Sequence, residues 1–178
     1  MIDEIKNKAK QMLAEGTVSL LVGYGKNGFG DTVPVFIKQA KDVEKLVWDD
    51  RCYYNLTRYL TERDIMESEE GPICILIKGC DQKSLKVLLS ERQVKRERVK
   101  IIGITCEGMR DEKGSLIFKC ETCHVNYPES ELCDIVIGEK IEQKNKEDDF
   151  SDIDEIDALA PVKRQELWNN YFKRCLRC

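Results

Sequence analysis

Three cysteines lie close together in the segment "KCETCHVNYPESELC", which covers residues 119–133. Cys120 and Cys123 form a C-x2-C pair, and Cys133 follows further along the segment. A C-x2-C pair is typical of metal binding or thiol redox chemistry, because it places two sulfurs on one loop. Structural metal centres usually need four protein ligands. The pair therefore predicts that two more ligands come from elsewhere in the chain.

Cys80 and Cys106 are the candidates for these ligands, because each follows an apolar run that predicts a buried strand. The runs "PICILIKGC" and "VKIIGITC" flank "DQKSLKVLLSER", a predicted helix with Asp81 as its N-cap. Strands of such a β-α-β unit are parallel, so both ends reach the edge of the sheet where ligands of α/β folds gather. The segment after Cys106 would return Cys120 and Cys123 to this edge.

Four thiolates suit a 4Fe-4S cluster or a structural zinc ion. Zinc ribbons use two compact cysteine pairs, whereas this chain has one compact pair and two single cysteines, so the pattern favours the cluster. The expected ligands are Cys80, Cys106, Cys120 and Cys123. Cys133 is a reserve ligand, and His124, the one histidine, is expected to be a solvated neighbour. A zinc-stabilised interaction module is the alternative.

Four motifs carry a resemblance to a known family: "IKGCDQKSLKVLL", "IIGITCEGM", "CETC" and "CDIVIGE", in this order. Together they resemble the beta-subunit family of coenzyme F-420-dependent hydrogenases and formate dehydrogenases, over about residues 70–140. The resemblance implies a 4Fe-4S cluster on the same four cysteines. It also implies electron transfer with iron–sulfur or flavin redox subunits, as in anaerobes. In a further alternative, the chain is a flavin-containing subunit that binds FAD.

The closing segment "LWNNYFKRCLRC" resembles a ferredoxin-type branch of the same family. Cys175 and Cys178 match the first two positions of the bacterial ferredoxin motif C-x2-C-x2-C-x3-C-P. We therefore expect these cysteines to be the beginning of a truncated ferredoxin module, and they are additional candidate ligands. A separate redox pair and terminal cysteines without a role stay open as alternatives.

Charge and composition exclude several classes of function. The 178-residue chain has a formal net charge of −4 with basic and acidic residues interspersed, which argues against nucleic-acid binding. No apolar run is long enough for a membrane span, and the N-terminus lacks a secretory signal, so a cytoplasmic location is expected. The sequence offers no catalytic histidine or carboxylate pair. An electron-transfer subunit of an oxidoreductase therefore fits better than a self-sufficient enzyme.

The sequence predicts an α/β fold, with a small, mainly parallel sheet, flanking helices and a C-terminal helical appendage. The expected domains are an iron–sulfur domain over residues 1–140, an acidic linker with a short helix over 141–157, and a C-terminal helix over 158–178. "GYGKNG" matches the dinucleotide-binding pattern G-x-G-x-x-G, but that site needs a helix directly afterwards. The following "TVPVFIK" predicts a strand, with Pro34 at an edge of the sheet. The glycines are therefore expected to form a hairpin loop.

Overall fold

The computed structural model describes residues 1–66, 70–141 and 150–173. The chain divides into two compact units, Met1–Asn145 and Lys146–Cys178. The first unit confirms the predicted α/β fold, because it contains a five-stranded, mainly parallel sheet with flanking helices. The described part of the second unit consists of two helices. None of the helices in the described ranges is long and apolar enough to cross a membrane.

The elements follow one another in the order expected of an α/β chain. The strands are β1 (Leu20–Lys26), β2 (Thr32–Ile37), β3 (Ile73–Lys78), β4 (Val99–Ile104) and β5 (Ile135–Ile137). The α-helices of the first unit are α1 (Ile2–Ala14), α2 (Arg63–Met66), α3 (Gln82–Ser90) and α4 (Phe118–Glu121), and those of the second are α5 (Ser151–Asp157) and α6 (Pro161–Lys173). Within the described residues, four 3₁₀ helices cover Ala40–Lys45, Leu56–Thr61, Gly79–Asp81 and Arg96–Arg98.

The sheet has the strand order β2-β1-β3-β4-β5, in which β2 is antiparallel to β1 and all other neighbours are parallel. This confirms the predicted β-α-β unit of β3, α3 and β4. Its register pairs Lys78, the last residue of β3, with Ile104, the last residue of β4. Cys80 and Cys106 each follow two residues later, so both leave the sheet at the same level.

The segment "GYGKNG" belongs to a β-hairpin, as predicted, but of its glycines only Gly28 lies in the loop, because Gly23 and Gly25 are part of β1. β1 and β2 pair directly, and the side-chain oxygen of Asn27 accepts hydrogen bonds from the amides of Phe29 and Asp31 in the loop between them, at 2.9 Å each. A strand follows instead of a helix, so the loop lacks the helix N-terminus that binds a pyrophosphate. Pro34 lies in β2 at the edge of the sheet, where its missing N–H is tolerated.

The hydrophobic core of the first unit includes nearly all of the neighbouring strands β3 and β4. Every residue of β3 is buried, including its terminal lysine, and the side chains of β4 are buried except that of Lys100. Helix α1 buries Ile5, Ala9 and Met12, and Gly16 with φ of 68° follows its end. Burial of this apolar surface stabilises the strands from which the cysteine loops project.

Candidate metal centre

The four predicted cysteines line one cavity at the carboxyl end of the parallel sheet. Its lining includes Cys80, Cys106, Cys120 and Cys123, together with Lys78 and Lys119. The cavity volume is about 20 Å³, enough for about one water molecule. The structure thus brings together thiols that lie far apart in the sequence and places two basic side chains beside them.

The end of β3 carries Cys80 into the cavity through the short 3₁₀ helix Gly79–Asp81. This turn passes very close to the loop that follows Cys123. A Cβ atom at Gly79 would lie 2.3 Å from the carbonyl oxygen of Val125. On the neighbouring strand, the amide of Cys106 donates to the carbonyl oxygen of Asn126 at 2.9 Å. These two contacts hold the strand ends and the loop of the C-x2-C pair against each other.

A small hairpin after β4 returns the chain to the cavity. The amide of Ile117 donates to the carbonyl oxygen of Met109 at 3.0 Å, and helix α4 then carries Cys120. Two backbone amides of this segment donate to sulfur: Gly108 N to Cys106 Sγ at 3.3 Å, and Met109 N to Cys120 Sγ at 3.4 Å. Such hydrogen bonds favour the thiolate form that metals require.

Two thiols of the cavity, those of Cys80 and Cys106, have a raised pKa and therefore resist ionisation. Burial raises the pKa of Cys80 to about 12, and the negative charges of Asp81, Cys123 and Cys106 contribute in the same direction. Burial also raises the pKa of Cys106. The hydrogen bond from the Gly108 amide lowers this pKa, whereas the negative charges of Cys120 and Cys123 raise it further. A bound cation removes this repulsion, so the site is expected to release protons when it takes up metal.

The donor set fits an all-thiolate metal group, but the sulfurs do not yet have its separations. Across residues 1–66, 70–141 and 150–173, no three His, Cys, Asp or Glu side chains form a ready-made metal-binding group. Cys120 lies in the short helix α4 and Cys123 just after it, whereas Cys80 and Cys106 each lie two residues beyond a strand end. Metal binding would therefore require these short segments to bring the four sulfurs closer together.

The other candidate ligands lie away from the cavity or outside the described residues. Cys133 packs beside Gly103, where an added Cβ would lie 2.7 Å from its sulfur, and burial raises its pKa to about 11. His124 lines a neighbouring open pocket, which shares Val125 and Asn126 with the cavity, but it is not itself among the residues that line the cavity. Cys175 and Cys178 lie beyond the described residues. Among the candidates within the described residues, the structure brings together Cys80, Cys106, Cys120 and Cys123.

Asp81 is the N-cap residue of α3, as predicted, but its side chain makes no capping hydrogen bond to the helix. Its Oδ2 atom instead accepts from the backbone amide of Lys78 at 3.1 Å and lies 2.8 Å from the Lys78 ammonium. A buried ammonium attracts a carboxylate more strongly than neutral amides do, which explains the choice of partner.

The two lysines of the cavity were not predicted from the sequence. Lys78 ends the strand "ICILIK", in which a charged residue at a buried position was an available signal. Lys119 precedes the C-x2-C pair, and its ammonium donates to the carbonyl oxygen of Tyr53 at 3.3 Å. Basic side chains beside several thiols are expected to favour binding of a negatively charged metal–thiolate group.

Comparison with known proteins gives a likeness of fold. No protein-family model matches the chain, and no curated protein sequence is significantly similar to it. A chain in a xenon-derivatised structure of the F420-reducing NiFe hydrogenase complex from Methanosarcina barkeri matches with a TM-score of 0.50 and 16% sequence identity. The match covers 61% of this chain and 39% of that chain, so this chain spans about two fifths of its neighbour's length. The protein thus shares its α/β fold with a chain of a hydrogenase complex.

Proposed function

We propose that this protein binds one 4Fe-4S cluster and passes electrons as a subunit or fragment of an oxidoreductase complex. One observation carries the proposal: four cysteines from three segments of the chain converge on one cavity at the carboxyl end of the sheet. The likeness of fold to a chain of a hydrogenase complex agrees with it. When bound, such a cluster supplies one-electron transfer.

The side chains of the cavity have separate roles in this proposal. Cys80, Cys106, Cys120 and Cys123 would hold the iron. Cys106 and Cys120 are each only 8% exposed, which limits the access of water to their side of the site, whereas Cys80 and Cys123 are partly buried. The backbone amides that donate to two of the sulfurs would stabilise the thiolates and influence the reduction potential. No proton transfer by the chain is needed.

A zinc-stabilised interaction module is the second candidate, because zinc also binds four thiolates. The arrangement of the ligands favours iron. Only Cys120 and Cys123 form a compact pair, whereas Cys80 and Cys106 come from two parallel strand ends. Two lysines also line the cavity, and their positive charges favour the binding of a group with a net negative charge.

The first experiment is to purify the chain without oxygen and to measure iron, acid-labile sulfide and zinc per chain. The proposal expects about four iron and four sulfide, with a broad absorbance band at about 400 nm that bleaches on reduction. About one zinc ion and no iron would identify the structural alternative and exclude electron transfer.

Single Cys→Ser variants then identify the ligands. Each change at 80, 106, 120 or 123 removes a predicted ligand and is expected to abolish most of the bound iron. Cys133→Ser is the matched control, because Cys133 is a partly buried cysteine outside the cavity, and its iron content should stay at the wild-type level. Full iron in a cavity variant, or iron loss in the control alone, would contradict the proposed ligand set.

A further inference from the structure

Lys78 places a buried positive charge at the wall of the cysteine cavity. It is the last residue of β3, and its side chain is only 2% exposed. The ammonium lies 2.8 Å from Asp81 Oδ2 and donates to the carbonyl oxygen of Tyr54 at 2.9 Å. It also donates to the hydroxyl of Tyr24, a side chain with no exposed surface. Three partners therefore fix the position of this charge.

Stability of the fold does not by itself explain such a lysine. Burying an ion pair costs free energy of desolvation, and an apolar pair of similar size often stabilises a protein equally well. The other five residues of β3 are apolar, so a sixth apolar residue would suit the strand. The lysine instead lines the cysteine cavity. Its partner Asp81 follows Cys80 in the chain, and the Asp81 Oδ1 atom lies 3.8 Å from the Cys80 sulfur.

We propose that Lys78, which Asp81 and Tyr24 hold in place, provides a fixed positive charge at the cysteine cavity. This charge raises the reduction potential of the cluster that the cavity would bind. The inference rests on the proposed iron–sulfur function. Reduction adds one electron and forms or breaks no bond of the chain. A fixed positive charge beside the site stabilises the added negative charge, and low solvent exposure strengthens this interaction. The negative charge of Asp81 lowers the reduction potential, so the potential depends on both residues of the pair.

The test is a redox titration with mediators on full-length chains purified without oxygen, with iron per chain measured first. Lys78→Met removes the charge and keeps an unbranched side chain of similar length. The expected result is a lower midpoint potential, equivalent to about a tenfold change in the equilibrium constant or about 59 mV for one electron. Asp81→Asn leaves the ammonium unopposed and should raise the midpoint potential.

Lys119→Met is the matched control, because Lys119 lines the same cavity but is exposed to solvent. The same loss of one charge should shift the midpoint less there, since water screens it. Equal shifts for Lys78→Met and Lys119→Met would overturn the inference. If Lys78→Met binds no iron, Asp81→Asn decides, and an unchanged midpoint in that variant would overturn it.

The two proposals fail in different ways. A wild-type chain without iron defeats the proposed function, whatever the variants do. If the wild-type chain binds about four iron atoms but the midpoint potential is unchanged in the Lys78 and Asp81 variants, only the inference about the charge pair is wrong.

Discussion

The Tyr24 hydroxyl makes hydrogen bonds to two other groups, one of them on Lys78, which lines the cysteine cavity. It donates to the carbonyl oxygen of Tyr54 and accepts from the ammonium of Lys78. Burial raises the pKa of Tyr24 far above its ordinary value, and the negative charge of Asp81 contributes. The phenol is therefore neutral at every physiological pH. It can act only as a hydrogen-bonding partner that holds the lysine.

Tyr24→Phe tests this role at the scale of one atom. The change leaves a buried ammonium with one partner fewer, so we expect a loss of about 1–3 kcal/mol in the free energy of unfolding. Urea unfolding of the apoprotein measures it. Tyr59→Phe is the control, because the ring of Tyr59 packs edge-on against Phe36 and the change keeps that contact. Equal losses in both variants would contradict a special role for Tyr24.

Prediction from the sequence reached some residues of the cavity and missed others for a physical reason. The location of Cys80 and Cys106 follows from where apolar runs end, which is a local property. The partners of Lys78 are not local, since Tyr24 comes from β1 and Tyr54 from a loop. Pairing across strands decides such contacts, and one sequence does not show it.

At the scale of elements, the close packing of the turn after β3 is the most sensitive feature. A methyl group at Gly79 would meet the carbonyl of Val125, which belongs to the loop after the C-x2-C pair. Gly79→Ala should therefore push this loop away and strongly reduce iron per chain. Gly28→Ala is the control, because nothing lies within 4 Å of the new Cβ there. Normal iron content in Gly79→Ala would show that the loop adapts.

Asp134 links the start of β5 to β4 and should make the fold sensitive to acid. Its carboxylate accepts from the amide of Ile101 at 2.8 Å and pairs with Arg96 at 2.9 Å. Partial burial opposes ionisation, but these hydrogen bonds and the charges of Arg96 and Lys100 outweigh it and lower the pKa of Asp134. A lowered pKa in the folded state means stability that is complete above the ordinary value of 3.8 and is lost as the pH falls below it.

Asp134→Asn tests this linkage. The variant should be less stable than the wild type near neutral pH, and the difference should shrink as the pH falls through about 4. Urea unfolding of the apoprotein at a series of pH values measures the difference. A difference that stays constant down to about pH 3 would mean that the carboxylate charge is not the cause.

The elements that sequence analysis predicted well are those with local signals. The sequence predicts a hairpin and not a dinucleotide-binding loop here, because Pro34 and its β-branched neighbours favour a strand. The small hairpin after Cys106 was predicted only as a connecting segment. Its position depends on a contact with a remote residue, since the amide of Arg110 donates to the carbonyl oxygen of Asp50 at 2.8 Å.

At the scale of the whole molecule, the buried core of the described residues lies entirely in the first unit, between Ile5 and Ile137. A shortened chain of residues 1–145 should therefore unfold at the same temperature as the full chain and bind the same amount of iron. Thermal unfolding and iron analysis of both chains test this. A lower melting temperature or a loss of iron in the shortened chain would show that the second unit contributes to the first.

The two edges of the sheet limit how this protein can bind other chains. One edge strand, β2, contains Pro34, which cannot donate a backbone hydrogen bond, and the other, β5, has only three residues. Neither edge is a good template for an added strand, which also protects the protein against edge-to-edge aggregation. A partner subunit that joined by strand addition would find few backbone groups to pair with. A partner is therefore expected to bind through side chains on helices and loops of this protein.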